Sequence, residues 1–399
     1  MHRVLVVCST KKGGAHWMSS LIANCLDEAI SSEAILLSPS SRDQSIIWRL
    51  AISAEVYLLE IISKALRRVA TKNDFYFFNF GLSSITATLW LILNRHKFDT
   101  ILVLWRSYFV GSRSLKLLSK LGKKIVIYHT DHAALTGGCH FQNECTNASL
   151  GCKNCPAISS KLQFIPEANY KNLKNLASVA TSISPNRNFV NQIKRAGLAF
   201  NQEYIQYFPV SDLYYIEKIT ARPRKRLVFV SSNIDDVRKG LDLLARCFIK
   251  YQREFRTFGL TLCFVGKGSL ANSCLQDLAE FYQIETYESL PPSDLASLYA
   301  KSFAIINVPQ QDMGPSTVFE ALCSGLLVIS SEVGIAPELI EECGAGVVIT
   351  DYDEDALFLA TKEILQLSDE AYCRKLQRIN DFVSVFATSD FSEKLVRCF

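Results

Sequence analysis

Short apolar runs alternate with helix-length stretches along almost the whole chain, and that alternation narrows the fold to one class. The runs are RVLVVC at 3–8, TILVLW at 100–105, KIVIY at 124–128, and residues 178–183. After a Pro- and Arg-rich stretch at 222–226 they resume at 227 with LVFVSS, then at 260–265, 304–308 and 326–330. Most are too short for a helix and lack polar alternation, which fits strands buried on both faces. Helical stretches such as 18–29, 112–121, 239–251 and 270–282 lie between them. Such a rhythm builds a parallel sheet with helices on both faces. The break at 222–226 divides it, so the chain reads as two doubly wound α/β domains, 1–210 and 211–399. The tail, 368–399, reads as helix throughout and is free to cross back.

A chain of 399 residues can give each domain its own core. With 49% hydrophobic and 21% charged residues it is globular in composition. The net charge of +4 (43 minus 39) is too weak to argue for nucleic acid. No apolar run approaches the ~20 residues needed to cross a bilayer. The start, MHRVLVVCST, has no basic lead and reads as a first strand, so a cytoplasmic location is expected. Helix 45–69 places Ile47, Leu50, Ala54, Leu58, Ile61 and Ala65 on one face. That face is expected to pack on its own sheet. The alternative is a peripheral, in-plane membrane contact at the inner face of the plasma membrane, helped by the basic end at 64–68.

The stretch INVPQQDMGPSTVFEALCSGLLVISSEVGIAPELI at 305–340 carries the most chemistry. It reads as strand, loop 309–315, short helix and next strand. Thr317-Val-Phe-Glu320 has the spacing of a capping box, so one reading of Glu320 is a cap on its own helix. The other is that Glu320 accepts hydrogen bonds from ribose hydroxyls. Backbone N–H groups around Gly314, Ser316 and Thr317 would then face a diphosphate. Asp312, eight positions earlier, would hold sugar hydroxyls or oppose positive charge developing at the anomeric carbon. After the strand at 227 comes SSNIDDVRKGLDLL, with Arg238 and Lys239 placed at a helix start to neutralise a diphosphate. Gly266, after the strand at 260–265, marks a tight turn. Gly13 and Gly14, after the first strand, either make an ordinary turn or let a ligand approach the backbone.

In the other half, TGGCHFQNECTNASLGCKNCP places Cys139, Cys145, Cys152 and Cys155 within one loop, 139–155. Four thiolates at this spacing suit a tetrahedral structural zinc. An Fe–S cluster and disulfides are the alternatives. His140 is a substitute ligand candidate. Asp131, flanked by His129 and His132, follows the strand at 124–128 at the carboxyl end where α/β sheets bind ligands. It reads as a group beside an acceptor hydroxyl or as support for the metal loop.

The segment from Asp312 to Glu320 resembles the donor-binding signature of the family-four retaining glycosyltransferases of the GT-B fold, with Asp312 where Glu is more usual. EALCSG, VGIAPELI and the Lys-Gly loop match the same pattern, while Ser232-Asn233 replaces the family's Gly-Arg pair. The cysteine loop resembles a bacterial subgroup that builds exopolysaccharide, capsule or O-antigen. That subgroup carries a His-Asp-x-Trp-x-x-Thr-Gly-x-Cys-His-Tyr run, with Thr130 and Ala133 standing here for the His and Trp.

The resemblance implies two Rossmann-like domains facing across a cleft, acceptor side first and donor side second. It implies retaining transfer of a hexose from a nucleotide diphosphate sugar to an oligosaccharide, typically one linked to polyprenyl diphosphate. No cofactor or divalent cation is expected for catalysis, the leaving diphosphate accepting the acceptor's proton. The alternatives are a sugar-nucleotide epimerase and a catalytically weakened paralogue serving as a binding partner, which Thr130 favours.

Overall fold

The computed structural model describes residues 2–10, 14–29, 34–39, 44–72, 76–142, 145–215, 222–268 and 273–399. The chain forms two compact units, Met1–Pro209 with Ser389–Phe399, and Val210–Thr388.

The first unit is built on β1 (Val4–Cys8), β2 (Ala34–Leu37), β3 (Thr100–Trp105), β4 (Lys124–Tyr128), β5 (Thr181–Ser184) and β6 (Gln202–Ile205). All pair in parallel, in the order β2-β1-β3-β4-β5-β6. Its helices are α1 (Gly14–Ala29), α2 (Ile46–Ala70), α3 (Ile85–Leu93), α4 (Ser112–Lys120), α5 (Phe164–Ala177) and α6 (Arg187–Arg195). Every residue of β1 is buried, as an inner strand covered on both faces must be. Leu5, Val7, Ile101, Val103, Ile125 and Ile127 share one core with Trp90 and Leu91 of α3.

The second unit has β7 (Arg226–Asn233), β8 (Thr261–Lys267), β9 (Gln283–Tyr287), β10 (Ala304–Asn307), β11 (Leu327–Ser331) and β12 (Gly346–Ile349). Its sheet is also parallel, in the order β12-β11-β10-β7-β8-β9. The helices continue as α7 (Leu241–Lys250), α8 (Gln252–Arg256), α9 (Ser273–Ala279), α10 (Pro292–Ala300) and α11 (Ser316–Cys323). They end with α12 (Ala336–Cys343), α13 (Glu354–Leu365) and α14 (Asp369–Phe382), while α15 (Thr388–Val396) falls almost wholly in the first unit.

The strand order matters for function. In the first sheet the chain steps from β1 out to β2, then returns to the other side of β1 as β3. In the second it steps from β7 to β8 and β9, then returns beside β7 as β10. Each return leaves a crevice at the strands' carboxyl ends, where open α/β sheets bind ligands. The loops after β1 and β3, and after β7 and β10, therefore hold the ligand-binding positions.

Several expectations are corrected. The helix expected at 18–29 begins at Gly14. The tail is not one helix: a 3-10 turn at Val383–Phe386 and an extended Ala387 separate α14 from α15. The end of the chain groups with the first unit. Ser392 Oγ donates to Cys25 O at 3.0 Å, and Gln206 Nε2 donates to Phe391 O at 2.8 Å.

The largest correction concerns α2. The stripe expected against the sheet is open, with Ile47 80%, Leu50 64%, Leu58 55% and Ile61 46% exposed. Ile52, Val56, Ser63 and Ala70 face inward instead. Glu55 explains part of the rotation. It accepts from Ser84 Oγ at 2.6 Å and from the N–H groups of Ile85 and Thr86 at 2.9 Å, capping α3. Among the described residues no helix is long and apolar enough to cross a membrane.

Candidate functional site

In the second unit, the loops after β7 and β10 are locked together at the crevice. The chain leaves β7 through a 3-10 turn, Val237–Lys239, and α7 starts only at Leu241, so Arg238 and Lys239 precede the helix. Gly240 has φ +82°, and a Cβ there would stand 1.9 Å from Val308 O. Only glycine permits that approach. Gln310 N donates to Arg238 O at 2.7 Å, closing the contact from the other side.

That closure brings Lys239 Nζ to 2.6 Å from Asp312 Oδ2. Burial acts to raise the Asp312 carboxyl, but the Lys239 ammonium and the N–H groups of Met313 and Gly314 outweigh it. The carboxyl is held below its usual range. Arg238 is turned onto Asp236, its Nε 3.0 Å from Oδ1 and its Nη2 on Oδ2. Of the two bases, Lys239 is thus the one joined to the predicted acid.

Glu320 is treated differently. α11 begins at Ser316 behind Pro315, with no side-chain cap, so the Thr317–Glu320 capping box is not formed. Glu320 instead pairs with Ser316, four residues back. Burial raises its carboxyl to about 7, which the Ser316 hydroxyl offsets only in part. Among the described residues no cation forms an ion pair with it. An acid left this way gains from any hydroxyl that donates to it. Thr317 is half-buried at the same helix start. Gly266 closes the end of β8 against the β7 loop, its Cβ position 2.0 Å from Ser231 O.

In the first unit, Gly13 lies outside the described residues. Gly14 opens α1, with nothing within 4 Å of a Cβ built there. Asp131 follows β4 and has a histidine partner, though neither flanking one. Its Oδ2 meets His140 Nδ1 at 2.5 Å, and its Oδ1 accepts from Ala133 N at 2.8 Å. His129 instead bonds Ser182 Oγ at 2.9 Å and packs on Phe189, and burial pulls it down to about 3, a neutral core side chain. His132 bonds Gln192 Oε1 at 3.0 Å.

His140 Nε2 sits 3.2 Å from Ser107 Oγ, and the ring stacks on Trp105 at 4.7 Å. Both ring nitrogens are therefore engaged, which corrects the expectation of His140 as a metal ligand. Ser107, His140 and Asp131 form a chain of contacts in the order that orients an imidazole to take a proton from a hydroxyl. Burial acts to raise Asp131, but His140, Ala133 N and His132 hold it below its usual range. Sequence reading missed Ser107, His140 as Asp131's partner, and Arg106. Their one signal is position, since Arg106 and Ser107 directly follow β3.

Cys139, Cys145, Cys152 and Cys155 line one small cavity of about 20 Å3. Cys139 and Cys155 share a hydrogen bond, which pulls the Cys155 thiol down to about 7 against its burial. Gly137 N donates to Cys152 Sγ at 3.1 Å, and backbone at Asn147, Ala157 and Ile158 serves Cys145 and Cys155. The bond to Cys155 and burial push the Cys139 thiol up, and burial does the same to Cys145 and Cys152, so only Cys155 favours a thiolate by itself. Four sulfurs around one cavity are nonetheless a donor set of the kind zinc takes. The side-chain positions do not yet make a centre: among the described residues no three His, Cys, Asp or Glu groups converge as metal ligands.

Residues 224–367, wholly within the second unit, match the model of a family described as glycosyl transferases group 1. No curated protein matches the sequence. Solved structures share the fold over both units. HepE of Anabaena, in complex with UDP and glucose, aligns at 13% identity and TM-score 0.65 over 100% of this chain and 99% of its own. Sucrose-phosphate synthase of Thermosynechococcus elongatus aligns at 14% and 0.63, over 100% and 98%. A glycosyltransferase of Rickettsia africae aligns at 15% and 0.63, over 99% and 97%. The fold is thus the expected one, two parallel-sheet α/β domains of the GT-B kind.

Proposed function

We propose that this chain transfers a hexose, with retention, from a nucleotide diphosphate sugar to an oligosaccharide acceptor. The observation that carries the reading is the Lys239–Asp312 pair at the switch point of the second sheet, with Glu320 of the following helix in no ion pair among the described residues. The match to group 1 glycosyl transferases over the same residues supports it. In this reading Lys239, with Arg238 and the uncapped start of α11 at Ser316 and Thr317, holds the diphosphate. Gly266 and Gly314 shape the two loops around it. Asp312 faces the donor sugar and opposes charge developing at its anomeric carbon. Glu320 accepts from the ribose hydroxyls. Gly14 follows β1 in the other unit, where the open space around it suits a ligand's approach; Gly13, outside the described residues, is assigned the same role from the sequence alone.

Asp131 holds His140 and, through it, Ser107, whose hydroxyl stands beside the acceptor hydroxyl; this chain of contacts weakens the case for an inactive paralogue. The proton passes finally to the leaving diphosphate oxygen as the new glycosidic bond forms on the face that oxygen leaves. HepE was solved with UDP and glucose, so UDP-glucose is the first donor to try. An α-linked donor should give an α-glycoside by NMR; a β-glycoside overturns retention. Unchanged turnover in both Asp312→Ala and Glu320→Ala would overturn the transferase reading, and conversion of donor alone would indicate an epimerase.

Two further parts of the reading stand on separate observations. The open stripe on α2, continued by Ile85, Leu89 and Leu93 of α3 and flanked by Lys64 and Arg68, supports docking on an anionic membrane that carries a lipid-linked acceptor of surface-polysaccharide synthesis. Loss of binding to anionic vesicles on Leu50→Ser with Leu58→Ser tests it. The four cysteines support one structural zinc. Metal analysis of the purified chain should find one zinc, and a stable metal-free or iron-bearing protein overturns that assignment.

A further inference from the structure

The first unit holds a cavity of about 330 Å3 past the carboxyl ends of β3 and β4, walled by the loop after β3 and the start of α4. One cation in its wall, Arg106, has no ion pair among the described residues. Its Nη1 donates to Ser112 Oγ at 2.9 Å. The acid it senses, Asp131, is already committed to His140 and Ala133. A guanidinium drawn out of water without a paired carboxylate is costly. Burial duly pulls Arg106 down to about 10, which still leaves it charged at neutral pH.

The rest of the wall lacks acid and is rich in hydrogen-bonding groups. Asn79, Ser83 and Asn172 contribute amides and a hydroxyl. Arg113 adds a second guanidinium, its Nε 3.1 Å from Asn172 Oδ1. α4 opens behind Gly111 with neither a side-chain cap nor an acid in its first turn, so its positive end adds to the field. Tyr108, between Ser107 and this helix, is held at φ +61°, a strained setting for a non-glycine residue and one that clusters at ligand sites.

We propose that this cavity binds the acceptor through an anionic group, a sugar carboxylate or phosphate, gripped by the fork of Arg106 while the amides take neighbouring hydroxyls. Calling the ligand an acceptor rests on the glycosyl-transfer reading; the anion site itself does not. The Arg106 fork matches both oxygens of either anion, whereas a neutral sugar would leave it unpaired.

Calorimetric titration of the full chain with methyl glucuronide, glucose 1-phosphate and methyl glucoside tests the site. At least one anionic probe should bind about tenfold or more tightly than methyl glucoside, and whichever one does identifies the source of charge. Arg106→Gln should abolish that preference, Arg106→Lys should retain part of it, and Lys239→Gln should leave it intact. Equal binding of the neutral sugar, no binding of either anion, or an unchanged preference in folded Arg106→Gln overturns the proposal. So does a preference lost in Lys239→Gln alone, which places the anion in the second unit. Arg106-dependent binding in a protein without transferase activity would keep the anion site and remove the acceptor role. Transfer to a neutral acceptor, with no Arg106 effect, would do the reverse.

Discussion

Among the described residues, Glu320 in the second unit is a half-buried acid with no ion pair, and Arg106 in the first is a half-buried base with none. Each unit also carries a paired aspartate, Asp312 with Lys239 and Asp131 with His140. The paired aspartates lie past the carboxyl ends of β10 and β4. On the proposed reading Glu320 accepts from hydroxyl donors and Arg106 grips an anion. The compensation also differs in origin. Lys239 comes from a separate strand's loop, so its contact ties two loops together, whereas His140 lies nine positions beyond Asp131 in one loop. The second unit's pair thus ties two loops in register, and the first unit's pair lies within one loop.

The sharpest way to break this comparison is to remove the inter-loop pair. Lys239→Met takes away both the diphosphate's cation and Asp312's partner, and turnover should fall about 100- to 1,000-fold, on the order of 3–4 kcal/mol of transition-state stabilisation. Asp312→Asn should cost a similar amount, and the double variant little more, because the two act as a unit. Additive losses would show that the pair is only structural. Steady-state turnover with UDP-glucose is the measurement.

His140→Ala probes the other compensated aspartate, where the effect is on stability. It leaves Asp131 buried and charged, at a cost of about 3 kcal/mol in denaturant unfolding. The sign of the pH dependence follows from the depressed Asp131 pKa. In the native chain this stabilisation is complete above the unfolded aspartate value and is lost as pH falls through the lower folded one. The variant should therefore be most penalised near neutral pH, and the gap should close in acid once Asp131 is protonated in both. A pH-independent penalty would mean that His140 contributes packing on Trp105 rather than charge.

How much of this was legible beforehand follows from burial. The strands readable as apolar runs are β1, β3, β4, β5, β7, β8, β10 and β11, the inner strands of the two sheets. β2, β6, β9 and β12 were missed, and all four are edges. An edge strand has solvent on one side, and QEYI and QIETY are polar enough to hide their β character. The same limit applied to α2: its apolar stripe was plain, but periodicity cannot say which face meets the sheet. Lys239 and Asp312 could be picked out as candidates because each lies in a loop after a strand, and the structure pairs them; Glu320 stands in α11, without the cap its spacing suggested. Arg106 and His140 were not. Their meaning depends on which charges lie near them in space, and Asp131 finds its partner past two nearer histidines.

The uncompensated acid gives the smallest effect and the most specific one. With a folded value of about 7 against 4.5 for the free side chain, Glu320 holds a proton in the folded state that the unfolded chain has released. Its contribution to stability therefore falls as pH rises through that window, and Glu320→Gln should stabilise the chain at pH 8 more than at pH 5. Ligand binding runs the other way. Ribose hydroxyls donate to the ionised form, so below about pH 7 each unit of acidity must be worked against to deprotonate it, about 1.4 kcal/mol per unit. UDP should bind about tenfold more weakly at pH 6 than at pH 8, and Glu320→Gln should flatten that slope while weakening binding at the higher pH. A slope that persists in Glu320→Gln would assign the titration to the diphosphate itself, whose charge Lys239 reads. Glu320 would then be no more than a strained acid in the wall, and the contrast with Arg106 would lose its functional meaning.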